Sequence, residues 1–365
     1  MLAAAIEYYG ATSEVPWLFL LASWIAALLV AAGFYTVWNW RGLRARVGVH
    51  GTEPGPDSPL EGLSEQLLRT GPIPAPIFEG DRLELELGIE TIGASRGPAR
   101  LTGFIAATPL DIATGLVPKA GWKDRRMVGP LRRGPVDATT WVLEASDPMG
   151  MYRYRRRSPD AEVALVLPRF TSLVAQPEVR ELEASIAAPR AGSGTEMFGV
   201  REYRPGDPLR RIHWRSSARH GELVVREYEP PGVQTLGIFC DPAPPTPEVA
   251  DQIARLAASE AWDCIREGGR VILWAPGQEP SRPNEARSLW ALLEWLARYP
   301  RAGASEDAPT QVSDAVGVCA SDASTITEAL ETVRHRGGRI RAWAVGDAQV
   351  DLDVPVRRVG TDWPL

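Results

Sequence analysis

From Val15 to Trp38 the chain reads VPWLFLLASWIAALLVAAGFYTVW, with no charge inside the run. A bilayer core takes about 20 apolar residues in a helix, and this stretch is long enough. Trp17, Trp24, Tyr35, Trp38 and Trp40 lie mostly toward its ends, where amphipathic rings favour the headgroup level. Glu7 and Glu14 precede it in place of the basic residues of a cleavable leader, and the run is too long for one. The pattern therefore predicts a retained transmembrane helix over 15–40, behind an N-terminal tail, 1–14, whose first nine residues are too short to span. Arg41, Arg44 and Arg46 follow at once, so the positive-inside rule places the C-terminal bulk in the cytoplasm.

Residues 41–71 read as a basic flank, a Pro/Gly-rich linker (HGTEPGPDSP, 50–59) and a short helix on which Leu60, Leu63, Leu67 and Leu68 form a stripe. Beyond 72 the period changes to two. Leu83, Leu85, Leu87 and Ile89 alternate with Arg82, Glu84, Glu86 and Gly88, as in a half-buried strand. Further short strands are expected at 99–106, 126–131, 136–144, 151–155 and 161–167. Strands of this length and spacing predict a small β-sandwich over 72–170. A connector and a charged motif occupy 171–232. From 233 to 365 strands alternate with helices, the pattern of an α/β layer with a largely parallel sheet. The strands are expected at 233–240, 271–275, 315–320, 339–345 and 354–359. The helices are expected at 247–267, at 284–299 and after a capping box of Thr325 and Glu328. The expected fold class is α+β multidomain.

A length of 365 residues suits two or three domains. The net charge of −6 provides no global attraction to nucleic acid, and the arginine run 153–157 lacks an aromatic platform of the nucleic-acid type, so it reads as a solvated strand end or hairpin. Cys240, Cys264 and Cys319 are widely spaced and form no CxxC pair, which favours buried thiols over a disulfide framework. His50, His213, His220 and His335 show no zinc spacing. No GxxxxGK[ST] pattern occurs, so ATP energy must come from another protein.

The densest stretch is EYRPGDPLRRIHWRSSARHGELVVREYE, 202–229. Asp207 followed by Pro208 is a helix start, Gly221 suits the position just past a helix end, and a strand follows through Leu223 and Val225. Arg211, Arg215 and Arg219 recur at intervals of four on one face and are roughly balanced by carboxylates, which points to ion pairs or a partner face. Asp207, His213 and Ser216 or Ser217 supply triad residue types. His213 and Ser217 lie side by side on one helix, however, with no nucleophile elbow.

Gly199-x-Arg201-x-Tyr203-x-Pro205-Gly206-Asp207, Arg211-x-x-Trp214-x-x-Ser217-Ala218-Arg219, Leu223-x-Val225 and Glu227 resemble the hallmark of a bacterial family known as domain of unknown function 58. Arg132-Arg133-Gly134, Asp147-Pro148-x-Gly150 and Pro168-Arg169 resemble it too. The resemblance implies N-terminal membrane helices, a β-rich middle and a C-terminal von Willebrand A-like domain. It also implies partnership with MoxR-type AAA+ ATPases in complex assembly or envelope stress, and a place in the bacterial cytoplasmic membrane.

Two departures stand out. One membrane helix is visible where the family often has a pair. The metal loop Asp-x-Ser-x-Ser of such domains is here Asp241-Pro242-Ala243-Pro244-Pro245, which lacks the hydroxyls that would complete a Mg²⁺ shell. Neither metal nor cofactor is expected, with Asp241 the weak candidate ligand. The expected function is a membrane-anchored, non-catalytic scaffold or adaptor. In it Arg201, Tyr203, Asp207, Arg211, Trp214, Ser217, Arg219 and Glu227 shape a partner-binding surface. The alternative is a hydrolase with its site around Asp207, His213 and Arg219.

Overall fold

The computed structural model describes residues 2–13, 16–72, 75–173, 197–202, 217, 224–228, 235–301, 307–320, 324–346 and 355–363. The chain divides into two compact units, 1–169 and 170–365.

The first unit begins with two helices, α1 (Leu2–Ser13) and α2 (Pro16–Arg41), and α1 packs against α2. The segment expected as a tail is thus helical. The helix α2 is long and apolar enough to cross a membrane. It passes within two residues into strand β1 (Leu43–Glu53), which pairs antiparallel with β3 (Arg82–Thr91). Residues 43–53 are therefore sheet, where the sequence reading expected basic flank and linker. The reason is visible in the side chains: Ala45, Val47 and Val49 pack on the core, while the intervening Arg44 and Arg46 stay exposed. Charge at a helix flank masked a period of two.

After a short helix α3 (Glu65–Arg69), capped by the Ser64 side chain, the unit is all β. Strand β6 (Trp122–Val128) completes the sheet β1-β3-β6. The second sheet runs β2-β9-β7-β4-β5, with β8 also on β7. Its members are β2 (Ile77–Phe78), β4 (Ala99–Ile105), β5 (Thr108–Thr114), β7 (Gly134–Ser146), β8 (Arg153–Arg157) and β9 (Ala161–Leu167). Leu83, Leu85, Leu87 and Ile89 from the first sheet and Leu101, Trp141, Leu143 and Val166 from the second are buried in one shared core. The alternation seen in the sequence is thus the inward face of a two-sheet layer.

The second unit contains a two-stranded ladder, β10 (Met197–Glu202) with β11 (Val224–Tyr228), and a five-stranded parallel sheet. The parallel strands are β12 (Thr235–Cys240), β13 (Arg270–Trp274), β14 (Asp314–Cys319), β15 (Ile340–Val345) and β16 (Val356–Val359), in the order β13-β12-β14-β15-β16. The intervening helices are α4 (Pro247–Arg266), α5 (Leu289–Ala297) and α6 (Ser324–His335). Ile326, Leu330 and Val333 of α6 pack with Phe239, Ala315 and Ile340. Glu260 of α4 instead bonds Arg341 and Trp343, which alternate with Ile340 along β15, so the two helices cover opposite faces. Gly317 lets α6 come close, since a Cβ there would stand 2.8 Å from Leu330 Cδ1. The helix begins at Ser324, which leaves Thr325 inside it and not at the cap. The expected helix 284–299 is shorter, because Pro283–Glu285 forms a 3-10 turn and Ser288 caps a fresh start.

Candidate functional site

In an open parallel sheet, ligands gather at the carboxyl ends of the strands, where the strand order reverses. Here the reversal lies between β12 and β14, since the first strand has the second on one side and the third on the other. Asp241 follows β12 at that point and is fully buried. Its Oδ1 accepts the Ala243 N–H at 3.0 Å and its Oδ2 accepts the Ala320 N–H, just past β14, at 2.9 Å. The Tyr299 hydroxyl donates to the Asp241 carbonyl, and the Asp241 N–H donates to Val318 O at 3.0 Å. Asp241 thus ties together the two strand ends that flank the reversal. Among the described residues, no group of three or more His, Cys, Asp or Glu converges as a metal site would require. Neighbouring Cys319 is buried, and burial, then the Asp241 charge, pushes its thiol up to about 12.

Of the motif residues, Tyr203, Asp207, Arg211, His213, Trp214 and Arg219 lie outside the described residues. Arg201 and Glu227 fall on the β10–β11 ladder, whose register pairs 201 with 225 and 199 with 227. Directly paired positions share a face, and so do positions two apart along a strand, so 201 and 227 are diagonal neighbours on one face. Ser217 is helical and buried, and the rest of the helix expected over 208–220 lies outside the described residues.

A second constellation, in the first unit, escaped the sequence reading. Asn39 of α2 is fully buried. Its Nδ2 donates to Pro98 O at 3.1 Å and Ser146 O at 3.0 Å, and its Oδ1 accepts the Gly97 N–H at 2.8 Å. The Tyr35 hydroxyl donates to Gly97 O at 2.5 Å. Arg96 stacks 3.6 Å above the Trp38 ring, and its guanidinium donates to Trp38 O and to Ile92 O. The C-terminal turns of α2 are therefore clamped onto the second sheet. An asparagine between two tryptophans at the end of an apolar helix was the available signal.

The hairpin joining β7 and β8 is built by Asp147. Its carboxylate accepts the Tyr152 N–H at 2.7 Å and the Met149 N–H at 2.9 Å, and Gly150 takes a positive φ of 71° in the turn. Burial alone would raise its pKa, but the backbone donors led by Tyr152 and Met149 outweigh burial and hold the carboxyl below the usual range. The motif Asp147-Pro148-x-Gly150 thus acquires a structural meaning.

These features define a two-unit α+β protein with an apolar N-terminal helix joined to a β-rich unit, followed by a mostly parallel α/β sheet. Residues 199–339 match the family described as "Protein of unknown function DUF58". No curated protein matches the chain.

Proposed function

We propose that this chain is a membrane-anchored scaffold or adaptor without a catalytic centre, working with a MoxR-type AAA+ ATPase in protein-complex assembly or envelope stress at the bacterial cytoplasmic membrane. In this reading α2 spans the bilayer, and the β-rich unit is a small β-sandwich on the cytoplasmic side. The parallel sheet is a von Willebrand A-like domain that has given up its metal. The observation that carries the reading is the engagement of Asp241. Both oxygens that would face a ligand at the strand-order reversal accept backbone N–H groups, from Ala243 and Ala320. The clamp on α2 adds support, since it holds the β-rich unit fixed to the apolar helix, as an anchored platform requires.

The test is affinity purification of the full chain from detergent extracts under conditions that trap the ATP-bound state. Recovery of a MoxR-type ATPase is the expected result. Its absence, or turnover of a small molecule that is lost on altering Asp207 or His213, refutes the reading.

A further inference from the structure

We propose that the end of the first unit beside α2 is a second membrane contact. In it the turn at 148–151 enters the bilayer interface and the arginines of β8 face anionic phospholipid headgroups. The inference rests on the reading of α2 as a membrane span.

The geometry begins with depth. The Tyr152 ring lies 4.0 Å from where a Cβ on Gly33 would stand, and Asn39 binds Ser146 O, so the clamp engages α2 from about residue 33 to its end. Pro16 to Ala32, about 17 residues, is then all that stands clear of the clamp, a rise of about 25 Å. A hydrocarbon core is about 30 Å thick. The clamped turns, and the part of the unit packed on them, must therefore reach the bilayer interface.

The order of contacts sets the direction. Tyr152 meets α2 at Gly33, whereas Tyr154 and Arg156 meet it at Trp40, with ring centroids 5.8 Å apart for Tyr154 and the guanidinium 4.5 Å above the Trp40 ring. β8 therefore runs alongside α2 in the same sense, and the turn preceding it projects toward the span. That turn carries Met149, 67% exposed, and Met151, followed by exposed Tyr152 and Tyr154. Apolar side chains at a hairpin tip, with tyrosines one step above, match the composition of an interfacial segment.

Charge follows the same axis. Every residue of β8 is exposed, and four of its five are arginine. Arg153 and Arg155 share the single carboxylate of Glu144, at 3.8 and 2.7 Å, and Arg157 makes no ion pair among the described residues. Exposed Arg41 and Arg44 lie at the same end of α2, so the rim is net positive. A basic rim above an apolar tip complements an anionic bilayer surface. An interfacial contact here would fix the tilt of the whole unit on the membrane.

The test uses the full chain in vesicles of phosphatidylcholine with or without phosphatidylglycerol, in a Cys264→Ser background. Single cysteines carry an environment-sensitive fluorophore: Met149→Cys at the tip, Leu28→Cys in the span, and Glu53→Cys at the far end of β1. Spin-labelled lipid is the quencher. Burial at the headgroup–acyl boundary predicts that the labels at 149 and 28 lose about half or more of their emission while the label at 53 is unchanged. Quenching at 149 should deepen with phosphatidylglycerol and lose that dependence in Arg153→Gln/Arg155→Gln. A label at 149 that behaves like the one at 53, with 28 still quenched, overturns the inference and leaves the span intact. No quenching at 28 overturns the span and the inference together. Quenching at 149 that ignores phosphatidylglycerol overturns the headgroup role of the arginines.

Discussion

Replacing Asn39 by alanine tests whether helix and sheet form one mechanical piece. The side chain is fully buried and makes three hydrogen bonds of 2.8–3.1 Å, to Gly97 N–H, Pro98 O and Ser146 O. Each contributes about 1 kcal/mol net, and the alanine removes all three, although Pro98 O still accepts the Ser146 N–H, so the loss is about 3 kcal/mol. For a unit of this size, 1 kcal/mol moves Tm by about 2–4 °C, which predicts a fall of about 6–12 °C. Asn39→Asp should fall at least as far. It keeps an acceptor for Gly97 N–H but sets a carboxylate oxygen against two carbonyls. The assay is thermal unfolding of the full chain in detergent micelles, followed by tryptophan fluorescence. Trp38, Trp40 and Trp141 report on the first unit. A shift under about 2 °C for both variants would refute the argument that this clamp, and not chain continuity alone, fixes α2 to the β-rich unit.

Four further outcomes follow from the same reasoning. Glu260→Gln, which weakens the buried acceptor of Trp343 Nε1–H at 2.7 Å and of Arg341, should cost the second unit about 2 kcal/mol in the same unfolding assay. Burial, then Glu267, raises the Cys264 thiol to about 11, while Cys319 stands at about 12. Both folded values lie above the unfolded thiol value, so this stability is intact below the unfolded value and is lost as pH rises through about 9 to 12. Alkylation of native protein at pH 8, read by mass spectrometry, should be at least about a hundredfold slower than of denatured protein. The Asp147 carboxyl is shifted down, so its contribution is present above the unfolded value and is lost as pH falls through the lowered one. Acid titration of Asp147→Asn should therefore lack part of the wild-type loss below about pH 4. Millimolar Mg²⁺ should leave Tm unchanged, whereas a rise would require a metal site at Asp241.

The sequence by itself determined the features that depend on local periodicity. The uncharged run became α2, the alternating leucines of 83–89 became the buried face of β3, and the strand–helix alternation after 233 became the parallel sheet. Each follows from a repeat of 3.6 or 2.0 residues that a reader can count along the chain. Strand β1 escaped because Arg44 and Arg46 have the same look whether they flank a membrane helix or line the exposed edge of a strand. Strand β5 escaped because Pro109 and Asp111 interrupt the expected composition while its partner β4 supplies the pairing.

What only the tertiary structure decided were relations between distant residues. Asp241 stands at a strand end in the sequence, and only the fold brings the N–H of Ala320, 79 positions away, to its Oδ2. Asn39 is an ordinary polar residue until Gly97, Pro98 and Ser146 surround it. The arginines of β8 lie on an exposed hairpin strand, as their sequence pattern suggests, and only pairing with β7 brings one of them, Arg156, over the Trp40 ring. Such outcomes depend on which surfaces meet once the core is packed, and local spacing carries no record of that.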